Sequence, residues 1–146
     1  MVSLCDANFL LAICHRRHTA HAMALRWLDT VEENETLVIC RFSQLALLRL
    51  LNTAAVMQDM PRNASQAWHD YDAIMADERF SFRSEPGQLE IVLRSLTHDH
   101  KIATKRWSDA YLAAFAIADG LRVVTFDTGF TQFAGLDVLV LGKDTN

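Results

Sequence analysis

No Cys-x-x-Cys pair occurs among the 146 residues, and the three cysteines, Cys5, Cys14 and Cys40, are an odd number. Neither a disulfide framework nor a thiolate zinc site is expected; Cys5 and Cys40, set in apolar runs, read as small buried hydrophobes. No apolar stretch is long and charge-free enough to cross a bilayer, and the opening MVSLC lacks the marks of a signal peptide. A soluble, cytoplasmic protein is expected. Positive charge is scarce: 14 Lys and Arg against 18 Asp and Glu leave a formal net charge of −4. That argues against a surface that coats nucleic acid broadly. It does not exclude a nuclease, because a carboxylate metal site adds negative charge of its own. Repeats, low-complexity segments and linkers are missing too, so one domain over residues 1–146 is expected.

What is present suits a folded core. Hydrophobic residues make up 51% and charged residues 22%, which excludes a disordered chain. VSLC (2–5) reads as a short buried strand and ANFLLAICH as the helix after it. RRHTAH interrupts, and Thr19 is the expected cap of a second helix, AHAMALRWLDTVEEN, with Met23, Trp27 and Val31 on one face. ETLVIC (35–40) is a strand. SQLALLRLLN (43–52) is an apolar helix with Ser43 as cap and Asn52 as stop. Another helix runs from about Asn63 to Glu78, with Ala67, Tyr71, Ile74 and Met75 on one face. RFSF is a short strand or only a connector. Ser84 and Pro86 suit the start of the next helix, and Ser108 and Gly120 the start and stop of the one after. LRVVTF and LDVLVLG (136–142) are strands. Alternating strands and helices imply an α/β fold with a mostly parallel sheet, in which ligands bind beyond the carboxyl ends of the strands.

Carboxylates stand at that edge. Asp6 follows VSLC, and Asp127 follows RVVTF. Asp109 opens a helix whose apolar stripe, Leu112, Ala113, Ala116 and Ile117, lies three, four, seven and eight residues on, so its side chain points inward. Gln44 has the same relation to Leu47, Leu48 and Leu51. Each acid also has a local explanation: Asp6 as a helix cap, Asp109 as a first-turn acid, Asp127 as an Asx-turn residue before Gly129. Together, however, three acids on one edge repel each other and lose solvation. A hard cation with oxygen ligands, magnesium or manganese, resolves that cost.

The segments LCDANFLLA, SQLALLRLL, SDAYLAAFA and VVTFDTGF, in this order and spacing, resemble a PIN-domain ribonuclease of the VapC toxin type over nearly the whole chain. The resemblance implies a PIN-like three-layer fold, with a central sheet of about four or five short strands flanked by helices. It implies an endoribonuclease whose acidic site is Asp6, Asp109 and Asp127, binding Mg²⁺ or Mn²⁺. Asn8 and Thr125 match its supporting polar positions, and Arg49 the arginine that often follows the second acidic position. Gln44 is the departure, since many relatives carry glutamate there. Glutamine keeps a carbonyl oxygen without the charge, and Gln44→Glu is expected to tighten divalent-ion binding. The resemblance further implies a cognate antitoxin as partner and products with 3′-hydroxyl and 5′-phosphate ends. The apolar helices 21–28 and 43–51 are candidates for a homodimer surface.

The chemistry expected is hydrolysis of RNA phosphodiesters by a metal-activated water, with basic residues outside the acidic pocket holding the backbone. Arg16 and Arg17, and Lys101, Lys105 and Arg106, are the candidates. The alternatives are a zinc site at His15, His18 and His21, an aspartyl phosphatase, and a catalytically weakened PIN domain acting as a binding module. For the phosphatase, the usual Asp-x-Asp is here Asp6-Ala7-Asn8, with no lysine near Asp127. Trp27, Trp68 and Trp107 are expected in the core or an interface, Trp107 alone being placed to stack on RNA.

Overall fold

The computed structural model describes residues 1–98 and 102–142. Among them five strands form one sheet: β1 (Val2–Cys5), β2 (Thr36–Ile39), β3 (Phe80–Phe82), β4 (Arg122–Thr125) and β5 (Asp137–Val140). The order is β3-β2-β1-β4-β5, and every neighbouring pair is parallel. Six α-helices flank it: α1 (Ala7–Cys14), α2 (His21–Thr30), α3 (Arg41–Leu51), α4 (Ala64–Met75), α5 (Leu89–Thr97) and α6 (Trp107–Asp119). RFSF is thus a true strand, the sheet's β2-side edge. No helix among the described residues is long and apolar enough to cross a membrane.

Both faces of the central strands are buried, and the strand period of two separates them. Cys5, Leu37, Ile39 and Val124 face one core layer, with Phe9, Leu10, Leu47 and Leu51. Leu4, Val38, Cys40 and Val123 face the other, with Leu112, Phe115 and Phe130. Cys5 and Cys40 are buried, and all three cysteines are free. Trp27 packs edge-on against Phe9 at 5.3 Å between ring centroids, whereas Trp68 and Trp107 stand exposed.

Helix stops follow the expected chemistry more closely than starts. Gly120 ends α6 in the left-handed region, at φ 68°, where a side chain would be strained. Asn63 caps α4 in a reciprocal capping box with Gln66. Four other starts differ. α2 begins at His21 after Ala20, whose amide is taken by His18 Nδ1 at 3.0 Å, so Thr19 caps nothing; the helix also ends at Thr30, short of Asn34. α3 begins at Arg41, directly after the extended Cys40. Ser43 therefore lies inside the first turn, buried against Cys40 Sγ at 3.3 Å. α5 begins at Leu89, so Ser84 and Pro86 lie in its approach. A 3₁₀ turn, Thr104–Arg106, runs straight into α6, making Ser108 a helical residue and not the cap.

Candidate active site

The register sets which strand ends meet. Cys5 lies beside Val124, so Asp6 and Thr125 emerge side by side at the carboxyl edge. Asp6 Oδ1 accepts the Ala7 amide at 2.7 Å, and Oδ2 accepts the Thr125 hydroxyl at 2.7 Å. Thr125 is fully buried, and its Oγ1 accepts the Asp127 amide at 3.0 Å. Asn8 completes the lock: its Oδ1 accepts the Phe126 amide at 3.2 Å, and its Nδ2 donates to Thr125 Oγ1 at 3.3 Å. Thus Asn8 and Thr125 tie two adjacent strand ends together and hold the Asp6 carboxylate still.

Asp127 divides its oxygens. Oδ1 accepts the Gly129 amide at 2.7 Å, making an Asx turn. Oδ2 accepts from Arg106 Nη1 at 3.0 Å, and the same nitrogen donates to Asp109 Oδ2 at 2.7 Å. The local explanations and the site explanation are therefore compatible. Asp109 is a first-turn acid of α6 and also meets Asp127 across one guanidinium. Gly129 makes this possible, because a Cβ there would overlap the Arg106 guanidinium.

The electrostatics match a cation site. Burial pushes the Asp6 carboxyl up to about 6; the bonds from Thr125 and Ala7 oppose the rise, and the charges of Asp109 and Asp127 add to it. Asp109 is also raised, first by burial, with Arg106 opposing and Asp127 adding. Among the described residues no three His, Cys, Asp or Glu side chains are grouped tightly enough to cage an ion by themselves. A magnesium-like ion does not require that, since one or two carboxylates plus waters suffice. The donors are all oxygen, they repel each other, and Arg106 already stands as a cation between two of them. Asp6, Asp109 and Asp127 fit such an ion, provided Arg106 yields its place.

Gln44 is buried, 4% exposed, and its Oε1 accepts Arg41 Nη1 at 2.5 Å. The amide oxygen is thus engaged by a guanidinium, a partner that periodicity alone did not name. Sequence reading missed Arg41, although the signal exists: Arg41 stands three residues before Gln44, as Arg106 does before Asp109, and that spacing puts both partners on one helix face. Arg49 is exposed on α3, five residues and about 140° around the helix from Gln44.

The remaining basic candidates split. Lys105 is exposed beside Arg106 at the rim; Lys101 lies outside the described residues. Arg16 and Arg17 follow the far end of α1, about 12 Å along the helix from Asp6, and Arg17 Nη1 meets Met60 Sδ at 3.2 Å. Among the described residues, His15, His18 and His21 are not grouped as a metal site. His21 Nδ1 is bonded to the Ala12 carbonyl at 2.7 Å, and His18 Nδ1 holds the Ala20 amide.

The five-stranded parallel sheet flanked by six helices is a PIN-like fold, and the PIN-domain family matches residues 3–136. The chain belongs to that family, within its VapC group. It is 38% identical to ribonuclease VapC41 of Mycobacterium tuberculosis over 96% of this chain and 99% of that protein. Its fold matches VapBC2 of Rickettsia felis, solved on a promoter DNA fragment, with TM-score 0.73 and 14% identity, covering 95% of this chain and 98% of that one. It also matches M. tuberculosis VapC20, described as a toxin that cleaves the sarcin–ricin loop, with TM-score 0.66 and 16% identity over 92% and 98% of the two chains.

Proposed function

We propose that this protein is a divalent-metal-dependent endoribonuclease, the cytoplasmic toxin of a type II toxin–antitoxin pair. The observation that carries the reading is the convergence of Asp6, Asp109 and Asp127 on one edge, with a guanidinium between two of them, in a chain so similar to ribonuclease VapC41. Mg²⁺ or Mn²⁺, when bound, supplies an activated water and neutralises charge on the phosphoryl oxygens. The chain's own part is positional. Thr125 and the Ala7 amide fix the Asp6 carboxylate, and Asn8 keeps the β1 and β4 ends in register. Asp109 and Asp127 turn one oxygen each toward a shared cation position. Lys105 and Arg106 stand at the rim where an RNA backbone would pass. A cognate antitoxin is the expected partner, since solved structures of similar fold include VapBC assemblies; a homodimer is the expected assembly.

The test is cleavage of RNA by purified protein with manganese, with fragment ends sequenced after brief expression in cells. Wild type should leave 3′-hydroxyl and 5′-phosphate ends. Asp6→Asn and Asp109→Asn should lose activity by orders of magnitude while folding normally. Full activity in both variants would refute the site.

A further inference from the structure

Arg41 is the first residue of α3, immediately beyond the end of β2. The parallel register pairs Leu4 with Val38, so two residues on, Cys40 stands beside Asp6. Arg41 therefore leaves the same carboxyl edge as the acids, on their β2 side. Its side chain is held from two directions. Nη1 donates to Gln44 Oε1 at 2.5 Å, and the guanidinium carbon lies 4.6 Å from the centroid of the Phe82 ring, at the end of β3. Arg41 is nevertheless exposed, and no carboxylate among the described residues pairs with it. Arg106, by contrast, is consumed by two carboxylates. Beside Arg41 opens a cleft of about 440 Å³ lined by Phe42, Phe82 and Tyr111, with Arg83 and Glu85 also on its wall; Glu85 Oε1 accepts the Tyr111 hydroxyl at 2.9 Å, and Phe115 lies buried behind Tyr111.

We infer that Arg41 and this aromatic cleft form a nucleotide subsite, in which Arg41 takes a phosphate of the RNA and the cleft takes the attached base. The inference rests on the ribonuclease reading. The argument is one of charge and shape. An RNA strand approaching three carboxylates needs a fixed positive charge at the same edge, and a guanidinium presents a fork of donors that matches phosphate oxygens. Bases are held on single-stranded RNA by aromatic faces. A protein carboxylate could also take the guanidinium, but it would leave the position beside the acids and the aromatic cleft without purpose. Gln44 is then a positioning residue. Its amide orients Arg41 without neutralising it, which a glutamate at this position would do. The neutral residue at 44 is what leaves Arg41 free to bind an anion.

Binding of a fluorescein-labelled single-stranded RNA decamer, in EDTA so that no cleavage occurs, tests this across a range of salt. Each phosphate contact to a single strand contributes about 0.7 to the slope of log affinity against log salt. Arg41→Ala should lower the slope by about that amount and weaken binding severalfold; Arg41→Lys should restore the slope. Gln44→Leu should weaken binding with the slope unchanged, because the charge remains but is no longer aimed. Gln44→Glu should lower the slope as Arg41→Ala does, because a carboxylate at 44 neutralises the guanidinium. Wild-type affinity and slope in Arg41→Ala, with wild type itself binding RNA, would overturn the subsite and leave the ribonuclease reading standing. A change in sedimentation with unchanged RNA affinity would place Arg41 in a subunit interface and also overturn it. Failure of wild type both to bind RNA in EDTA and to cleave it with manganese would remove the reading beneath.

Discussion

One arginine holds two of the acidic residues together. Arg106 bridges Asp109 and Asp127, so an entering ion competes with an internal cation. Arg106→Gln should bind manganese severalfold more tightly by calorimetric titration. Gly129→Ala should do the same by a different route, because its Cβ overlaps the guanidinium and displaces it. Arg106 ends a long flexible chain, so this substitution should leave the fold intact. Equal affinities in all three proteins would show that the bridge does not oppose the metal. Asp6 allows a pH test. Its carboxyl, about 6 in the fold, lies above the ordinary 3.8. A carboxyl raised in this way favours the folded state only when protonated. Its contribution is full below about pH 4, near the unfolded value, and is lost as pH rises through about 6. Metal-free Asp6→Asn should therefore melt above wild type at pH 7.5, with the difference closing toward pH 4. A wild type that melts higher than the variant at pH 7.5 without metal would contradict this.

At the scale of elements, the site depends on how strand ends are joined. Thr125 is the last residue of β4, and its hydroxyl serves Asp6, Asn8 and the Asp127 amide. Thr125→Val has nearly the same shape but leaves the Asp127 amide and one Asp6 oxygen without their Thr125 partner. The expected cost is about 1–3 kcal/mol in urea unfolding, together with weaker manganese binding. A stability within a few tenths of a kcal/mol of wild type would mean that water replaces the hydroxyl. α3 and α6 share a device: near the start of each, an arginine stands three residues before an inward polar side chain, Arg41 as the first residue of α3 and Arg106 just before α6. In α6 the partner is an acid and the arginine is consumed. In α3 it is a neutral amide and the arginine keeps its charge.

For the whole molecule, the proposed metal site would make a bound ion a stabiliser of the fold. An ion that binds only the folded state raises the melting temperature by mass action. Manganese should therefore raise it at pH 7.5, and less at pH 5.5, where Asp6 holds a proton that must leave first. An unchanged melting temperature at saturating manganese and pH 7.5 would exclude the site. If the protein cuts RNA as proposed, its overall charge of −4 leaves the few cations near the acidic edge, and not a general field, to hold the strand.

The element order, the parallel sheet and the position of Asp6 at a strand end were legible in the sequence, because burial on both faces writes continuous apolar runs and the acids interrupt them abruptly. Gly120 and Asn63 were legible for a related reason: an αL stop and a capping box are local chemistry. Helix starts at Arg41, Trp107, His21 and Leu89 were not, because each is set by how the preceding strand or turn delivers the chain, and a serine or threonine nearby does not compel a cap. The partners of Asp127 and Gln44 depended on tertiary structure in a stronger sense. Asp127 meets Asp109 only because α6 returns its first turn to the end of β4, and Arg106 is the group that fits between them. Gln44 is buried as its helix period predicts, but its partner Arg41, and the Phe82 ring on which Arg41 rests about forty residues away in sequence, come from the packing. Periodicity determines which face a side chain is on; only the packed neighbours decide which charge it meets there.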